Sequence, residues 1–291
     1  MHPNPKVTFR QKMKEKAIAL LSGKPADISR PESPKSTSTQ EACILFRKLP
    51  LEIRLQIYAD TVGSQGRPLH ILASDYRKIR RLAHWECHEV DQDVPMWQHD
   101  CLFHLENKKI VYRQLYVRSN SNLLPLLLTC RLIYAEALKS LYSENIFEFQ
   151  SSKTLLAFRS GIPQPQWKSL RTVHLWTVFT GPLVSGHDYN FPPERFPRWL
   201  DACRALQEIH TLQSLHVDLI FQPDRYANQE YNQQDVLLEV LESLNCIKAA
   251  RFCVKTNVGV PESVITQLLP LHYTISAEKL PWSKEPDDYF F

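Results

Sequence analysis

The feature that most constrains the fold is a strand–helix alternation in the C-terminal half of this 291-residue chain. Three strand-like runs each precede an amphipathic segment with helical spacing. The strands are predicted at 170–178, 212–220 and 250–254, and the helices at 196–210, 235–244 and 261–269. A helix between neighbouring strands is a crossover connection, so the strands should be parallel. The spacing of about 40 residues favours a short, degenerate leucine-rich-like sheet, with an ordinary α/β layer as the alternative.

The first half of the chain contains two helical segments separated by a long stretch. Residues 49–59 predict a short helix, because Pro50 suits its first turn, Glu52 suits the positive end of the helix dipole, and Gly63 follows its end. Residues 123–142 give the strongest helical pattern in the chain. We expect the two helices to pack against each other despite the gap. On the second helix three side chains are expected to face water: Arg131, Glu136 and Lys139.

The intervening stretch, residues 62–120, has an irregular and strand-like pattern. Two apolar runs, at 101–105 and 110–117, flank a polar turn and predict a β-hairpin. A basic run at 77–81 predicts a solvated helix face, with a partner-binding patch as the alternative. The chain therefore divides into a tail at 1–40, a helical module at 41–150 with an insert at 62–120, and a strand–helix region at 151–291.

Glycine usage argues against several classes of enzyme. The chain has seven glycines, and they are too dispersed to form a phosphate-cradling loop or a dinucleotide fingerprint. The chain also lacks the Gly-x-Ser-x-Gly elbow of α/β hydrolases and the His-Glu-x-x-His pair of zinc proteases. We therefore expect a non-enzymatic protein, and no cofactor is indicated.

Basic charge is concentrated in the tail. The net charge of the chain is +4, whereas residues 1–40 carry eight basic and three acidic residues, which leaves the remainder close to neutral. A neutral body argues against a nucleic-acid-binding platform. The Ser-, Thr-, Pro- and Lys-rich part of the tail, at 29–39, predicts disorder.

The compartment is predicted from segments that the sequence lacks. Charged and polar residues interrupt every apolar run before it reaches the length of a membrane span. The N-terminus has no apolar stretch typical of a secretory signal. The seven cysteines are scattered, without a Cys-x-x-Cys pair, which fits a reducing compartment. We expect an intracellular protein, cytoplasmic or nuclear, without membrane association.

One cluster in the insert has the residue types of a zinc site. Imidazole and thiolate are the ligands that zinc prefers, and a structural site needs four of them. The candidate ligands are Cys87, His88, Cys101 and His104. Their spacing matches no known zinc finger, and adjacent Cys and His side chains seldom converge. A polar loop with partly buried Cys and His is the alternative interpretation.

The middle strand of the C-terminal half alternates polar and apolar residues. His216 and Asp218 lie between Leu215, Val217 and Leu219. This period of two predicts that His216 and Asp218 face solvent on one side of the sheet.

Two motifs carry a family resemblance. Residues 49–58 read LPLEIRLQIY, and residues 123–138 read LLPLLLTCRLIYAEAL. The first resembles the Leu-Pro-x-Glu-Ile opening helix of the F-box superfamily, and the second its leucine-rich helix with a Cys-Arg element. The pair is more closely similar to F-box-like proteins that are abundant in filamentous fungi, most of which are domains of unknown function.

The resemblance implies a partner. In an F-box, Leu-Pro and nearby apolar residues contact a Skp-type adaptor, which here would assign Leu49, Pro50, Ile53 and Ile57 to partner binding. The chain departs from the family because about sixty residues separate the first helix from its partners. Loop-closure entropy grows slowly with length, so the packing of the helices can survive the insertion. The alternative is that these four residues only pack against the second helix, on Leu127, Cys130 and Tyr134.

These observations together predict an α+β protein with F-box-like helices split by a strand-containing insert, followed by the strand–helix layer. The expected function is protein interaction, as a substrate adaptor of a cullin-type ubiquitin ligase. The alternatives are a scaffold protein that keeps the fold without ligase attachment, and a zinc-binding protein built on the insert.

Overall fold

The computed structural model describes residues 43–63, 66–74, 81–88, 103–106, 109–112, 123–180, 194–222 and 233–277. Over these residues the protein has an α+β fold. The tail predicted at 1–40 lies outside them, as does the basic run at 77–81 except Arg81, which begins a strand. No helix among these residues is both long enough and apolar enough to cross a bilayer.

The secondary structure follows the predicted order. The helices are α1 Ile44–Lys48, α2 Leu51–Val62, α3 Leu123–Leu127, α4 Arg131–Ser143, α5 Ser152–Gly161, α6 Gln164–Lys168, α7 Phe196–Gln207, α8 Gln233–Glu242 and α9 Glu262–Leu268. The strands are β1 Pro68–Ser74, β2 Arg81–Glu86, β3 Phe103–Glu106, β4 Lys109–Tyr112, β5 Ile146–Phe149, β6 Thr172–Thr180, β7 Ser214–Gln222, β8 Arg251–Thr256 and β9 Thr274–Ala277.

Seven of these strands form one sheet, in the order β2-β1-β5-β6-β7-β8-β9. Strands β1 and β5 to β9 are parallel, and β2 runs antiparallel to β1 at the edge. The parallel strands predicted in the C-terminal half are therefore confirmed. The sheet also continues through β5 into β1 and β2 of the insert, so it includes strands from both sides of residue 150.

The main hydrophobic core lies between this sheet and its helices. From β5 to β9 each strand pairs with the next one in the sequence, and right-handed crossovers then place the connecting helices on one face. Alternate strand residues such as Val173, Leu175, Leu215 and Val217 share one buried cluster with the helices. The helices contribute to it Leu155, Phe158, Trp167, Trp199, Leu206, Leu237, Leu241, Val264 and Leu268.

The helical module, defined here as residues 43–63 and 123–143, has a smaller core of its own. Tyr58 of α2 packs with Leu127, Ile133 and Ala137. The predicted contact between the first and second helical segments is therefore confirmed, although about sixty residues separate them in the chain.

The prediction of one continuous helix over 123–142 is wrong. The chain leaves helical geometry between α3 and α4, where the backbone of Cys130 is extended and its Sγ accepts a hydrogen bond from the Ile133 amide at 3.4 Å. Cys130 is the N-cap of α4, a position at which a side-chain acceptor satisfies one of the free amides of the first turn. Apolar periodicity carries across such a break, which is why the sequence pattern did not reveal it.

The insert contributes two pieces of sheet. Its first two strands extend the main sheet, with Leu69 and Ile71 of β1 in the main core. Its second pair forms the predicted hairpin, in which β3 and β4 pair antiparallel from Phe103–Tyr112 to Glu106–Lys109. Residues 101–102 and 113–117 of the two predicted runs lie outside the described residues.

Candidate protein-binding site

The inward side of α2 is formed by Arg54, Tyr58 and Val62, which we call the inner stripe. These residues are four apart, so they lie on one face of the helix. Tyr58 and Val62 are fully buried, and Arg54 is half-buried. The inner stripe is therefore the surface through which α2 packs on the rest of the protein.

A charged hydrogen-bond cluster joins the inner stripe to α4. Arg54 donates from Nε and Nη2 to the two carboxylate oxygens of Glu136, at 3.0 and 2.8 Å. The Tyr58 hydroxyl donates to the same carboxylate at 3.0 Å. Arg54 also donates from Nη1 to the Leu49 carbonyl at 2.7 Å and lies over the Phe46 ring, 5.4 Å from its centroid. A bidentate pair of arginine and carboxylate restricts the relative orientation of the two side chains in addition to pairing their charges. The Arg54–Glu136 pair therefore sets the position of α2 on α4.

This cluster changes the acid–base behaviour of its members. The hydrogen bond from Arg54 lowers the pKa of Glu136, so the carboxylate stays ionised. Burial, reinforced by the hydrogen bond to Glu136, raises the pKa of Tyr58 to about 12. The expectation that Glu136 faces water is wrong, because an isolated helical pattern cannot show that Arg54 occupies the space opposite it.

Asn145 ties the ends of the same two helices together. This side chain is fully buried just after α4. Its Nδ2 donates to the Val62 carbonyl at 2.8 Å and to the Leu141 carbonyl at 2.7 Å. Both acceptors lie in the last turn of a helix, where carbonyls have no partner within the helix. Sequence analysis missed this role, for which the only available signal was an Asn at the end of a helical pattern.

The outward side of α2 is apolar and exposed. We call Pro50, Ile53 and Ile57 the outer stripe, since a spacing of three and four residues places them on one side of the helix. Pro50 is exposed, and Ile53 and Ile57 are 50% and 40% exposed. Leu51 and Leu55 add further exposed apolar surface on another side of α2.

Exposed apolar surface is concentrated in the helical module. Among the described residues, eight large apolar side chains are exposed, and seven of them belong to this module. They are Ile44, Leu51, Ile53, Leu55, Ile57, Leu128 and Tyr134, whereas the eighth, Leu269, follows α9. Single exposed apolar residues are ordinary, but a concentration in one part of the surface is typical of an interaction site.

The four residues that the motif singled out do not share one environment. Pro50, Ile53 and Ile57 lie together on the outer stripe, whereas Leu49 is half-buried just before α2. Ile53 and Ile57 do not belong to the buried cluster in which Tyr58 of the inner stripe packs on the second helix. Tyr134, the expected packing partner, is itself exposed.

Two of the candidate zinc ligands, Cys87 and His88, have different environments. Cys87 is buried at the end of β2, with its amide donating to the Pro68 carbonyl, while the adjacent His88 is exposed. His104 lies in β3, and Cys101 falls outside the described residues. Within the part of the chain that the structure describes, no three His, Cys, Asp or Glu residues could hold one metal ion.

The sheet face opposite the helices carries a row of polar residues. Strand register aligns His70, Glu148, His174, His216 and Cys253 across five neighbouring strands. The side chains of His70 and Glu148 are fully buried and in contact with each other, and His216 Nε2 lies 3.4 Å from Asp218 Oδ1.

The expectation that Asp218 faces solvent is wrong, because its side chain is only 3% exposed. Trp176, its neighbour on β6, is also buried and donates from Nε1 to Glu148 Oε1 at 2.9 Å. A period of two shows that two sides of a strand differ, but it does not show whether the polar side is covered. This polar face of the sheet is therefore buried at Glu148 of β5 and at Trp176 in the middle of β6.

The fold and this surface define the protein as an α+β protein with a split helical module that exposes apolar side chains. The chain belongs to the family described as a domain of unknown function, DUF7730, whose model matches residues 38–254. The matched region spans about three quarters of the chain and includes the insert. Searches of curated proteins and of solved structures found no match.

Proposed function

We propose that this protein is a non-enzymatic protein-interaction module and that it binds its partner through the outer stripe of α2. The observation that supports the proposal is the concentration of exposed apolar side chains in the helical module. Contact between water and these apolar side chains is unfavourable, and a partner that buries them would remove that contact.

The outer stripe lies outside both hydrophobic clusters, which distinguishes it from the inner stripe. Tyr58 and Val62 already provide the apolar packing of α2, and Arg54 provides its charged contact with α4. Ile53 and Ile57 keep about half of their surface in water. Apolar side chains on a rigid helix face are well suited to fill a groove on another protein.

The resemblance of the two motifs to F-box-like proteins indicates the class of partner. By that resemblance the partner is a Skp-type adaptor, and the protein is a substrate adaptor of a cullin-type ubiquitin ligase. The opening of α2 agrees with this proposal, because Pro50 is exposed at the helix N-terminus beside Ile53. The seven-stranded sheet would then carry the substrate-recognition surface.

The test is a binding measurement with a purified Skp-type adaptor from the host organism. The variant is Ile53→Ser with Ile57→Ser, which removes apolar surface from the outer stripe. Together the two changes should cost about 2 kcal/mol of binding free energy and raise Kd at least tenfold. The matched control is Gln56→Ser, an exposed polar position on the same helix, and it should leave Kd within about twofold.

Circular dichroism and thermal unfolding show whether the variants keep the fold. Because Ile53 and Ile57 are half-exposed, the double variant should unfold within a few degrees of the wild type. A wild-type chain that does not bind the adaptor refutes ligase attachment and favours the scaffold function. Equal Kd values for the double variant and the wild type refute the outer stripe as the binding surface.

A further inference from the structure

A cavity of about 120 Å³, partly open to solvent, lies at the junction of the insert and the helical module. Leu69 and Ile71 of β1 and Phe147 of β5 line its sheet side, and Phe158 of α5 lines its helix side. Residues of β2 and the last turns of α4 and α5 complete its boundary. The cavity therefore depends on strands that the insert brings into the sheet.

The size and lining of the cavity restrict what it can hold. Protein interiors are close-packed, and voids larger than a water molecule are few. An apolar cavity of about 150 Å³ in another protein stays dry and binds benzene or xenon. Here His84 and Tyr142 provide the polar side chains of the lining, and the other lining residues are apolar or glycine. Burial lowers the pKa of His84, so its ring is uncharged at neutral pH and adds no fixed charge.

We propose that this cavity is a binding site for a small, uncharged ring molecule, of the size of benzene and with at most one polar group. A charged ligand does not fit, because the lining offers no opposite charge to compensate its desolvation. Water gains little at the inner end of the cavity, because an ordered water needs two to four polar partners and the lining provides only the side chains of His84 and Tyr142. This proposal does not rest on the proposed function of the outer stripe.

Methyl NMR on the full chain tests the site directly, with benzene as the probe. Titration should shift the methyl resonances of Leu69 and Ile71 in a saturable manner. Val264 of α9 is equally buried but does not line the cavity, so its methyl resonances should move at least fivefold less. Absence of saturable shifts at Leu69 and Ile71 up to the solubility limit of benzene overturns the proposal. Equal shifts at Val264 also overturn it, because they indicate non-specific partitioning.

Gly161 offers a way to fill the cavity from its wall. A Cβ at Gly161 would meet only the Leu82 Cδ1 atom within 4 Å, at an ordinary contact distance of 3.4 Å. Gly161→Met should therefore place a flexible side chain in the cavity without strain in the backbone. We expect the affinity for benzene to fall at least tenfold.

The matched control is Gly259→Met, since a Cβ at Gly259 meets nothing within 4 Å. This variant should bind benzene as the wild type does. An unchanged affinity of a folded Gly161→Met protein contradicts the proposed location. If Gly161→Met does not fold, the benzene-induced methyl shifts of Leu69 and Ile71, compared with those of Val264 in the wild type, are the test of the proposed site.

Discussion

Three hydrogen bonds end on the carboxylate of Glu136, and two of their donors belong to one arginine. This carboxylate lies on α4, while Arg54 and Tyr58 come from α2, 82 and 78 residues away in the chain. At the scale of single residues, the two separated halves of the helical module are thus joined by one acid and two donors. The sequence showed each of the three residues but gave no signal that they meet.

The ionisation of Tyr58 gives a pH-dependent test of this cluster. Its pKa rises from an ordinary value of 10.0 to about 12 in the folded protein. A raised pKa means that the unfolded chain loses this proton first, so the stabilisation is complete below pH 10 and is lost between about pH 10 and 12. The free-energy advantage of the wild type over Tyr58→Phe should therefore shrink over this range. Urea unfolding of both proteins at pH 8, 10 and 11 measures it.

The comparison with Tyr58→Phe isolates one group among several. Tyr142 and Cys203 also have a pKa raised to about 12 by burial, and both proteins retain them. Their contribution therefore cancels in the difference. A difference that stays constant from pH 8 to pH 11 contradicts the raised pKa of Tyr58.

At the scale of elements, α2 has a packed side and an exposed side. The inner stripe packs, and the outer stripe remains in contact with solvent. The apolar spacing of residues 49–58 predicted the helix correctly. It did not distinguish whether Ile53 and Ile57 lie on the side that packs against the protein or on a side that could bind a partner. Both isoleucines fit helical spacing, and the choice between sides depends on Arg54 and Tyr58, whose partner lies in a distant segment.

Asn145 fixes the relative position of α2 and α4, and its loss tests how strongly these helices depend on each other. Asn145→Ala leaves the carbonyls of Val62 and Leu141 without this buried donor, which should cost about 1 to 3 kcal/mol of unfolding free energy. Hydrogen exchange should accelerate in α2 more than in β7, which lies inside the sheet between β6 and β8. Chemical denaturation and exchange measured by mass spectrometry provide the two readouts.

Asn245→Ala is the matched control for this variant. Asn245 is half-buried, and its Oδ1 accepts no hydrogen bond from the described residues, so the change should cost less than about 1 kcal/mol. Equal destabilisation by the two variants contradicts a bridging role for Asn145. Uniform acceleration of exchange over α2 and β7 indicates a global loss of stability instead.

At the scale of the whole molecule, the insert is part of the main sheet. Strand β1 lies between β2 and β5, so it covers the edge that β5 would otherwise expose. Leu69 and Ile71 place this strand in the main core with Phe147 and Phe149. A chain with a short loop in place of the insert would therefore lack β1 and β2, and the edge of β5 would be uncovered.

Excision of the insert tests this arrangement. A chain in which residues 64–122 are replaced by a short Gly-Ser linker should aggregate or lose the elution peak of the full chain in size-exclusion chromatography. The physical reason is that an uncovered apolar strand edge is a template for intermolecular pairing. Excision of the β3–β4 hairpin alone, residues 103–112, should keep the oligomeric state of the full chain because this hairpin forms a separate sheet. A cooperatively unfolding protein that lacks residues 64–122 and keeps the oligomeric state of the full chain contradicts the structural role of the insert.

The sequence by itself determined the features that depend on local order. Strand–helix alternation fixed the parallel sheet of the C-terminal half, and helical spacing located α2 and α4, because both patterns arise from residues close together in the chain. The tertiary structure alone decided which side of α2 faces water, that the insert joins the main sheet, and that Asp218 is buried. Each of these depends on surfaces that meet across tens of residues, and no local period records which distant surface covers a given side chain.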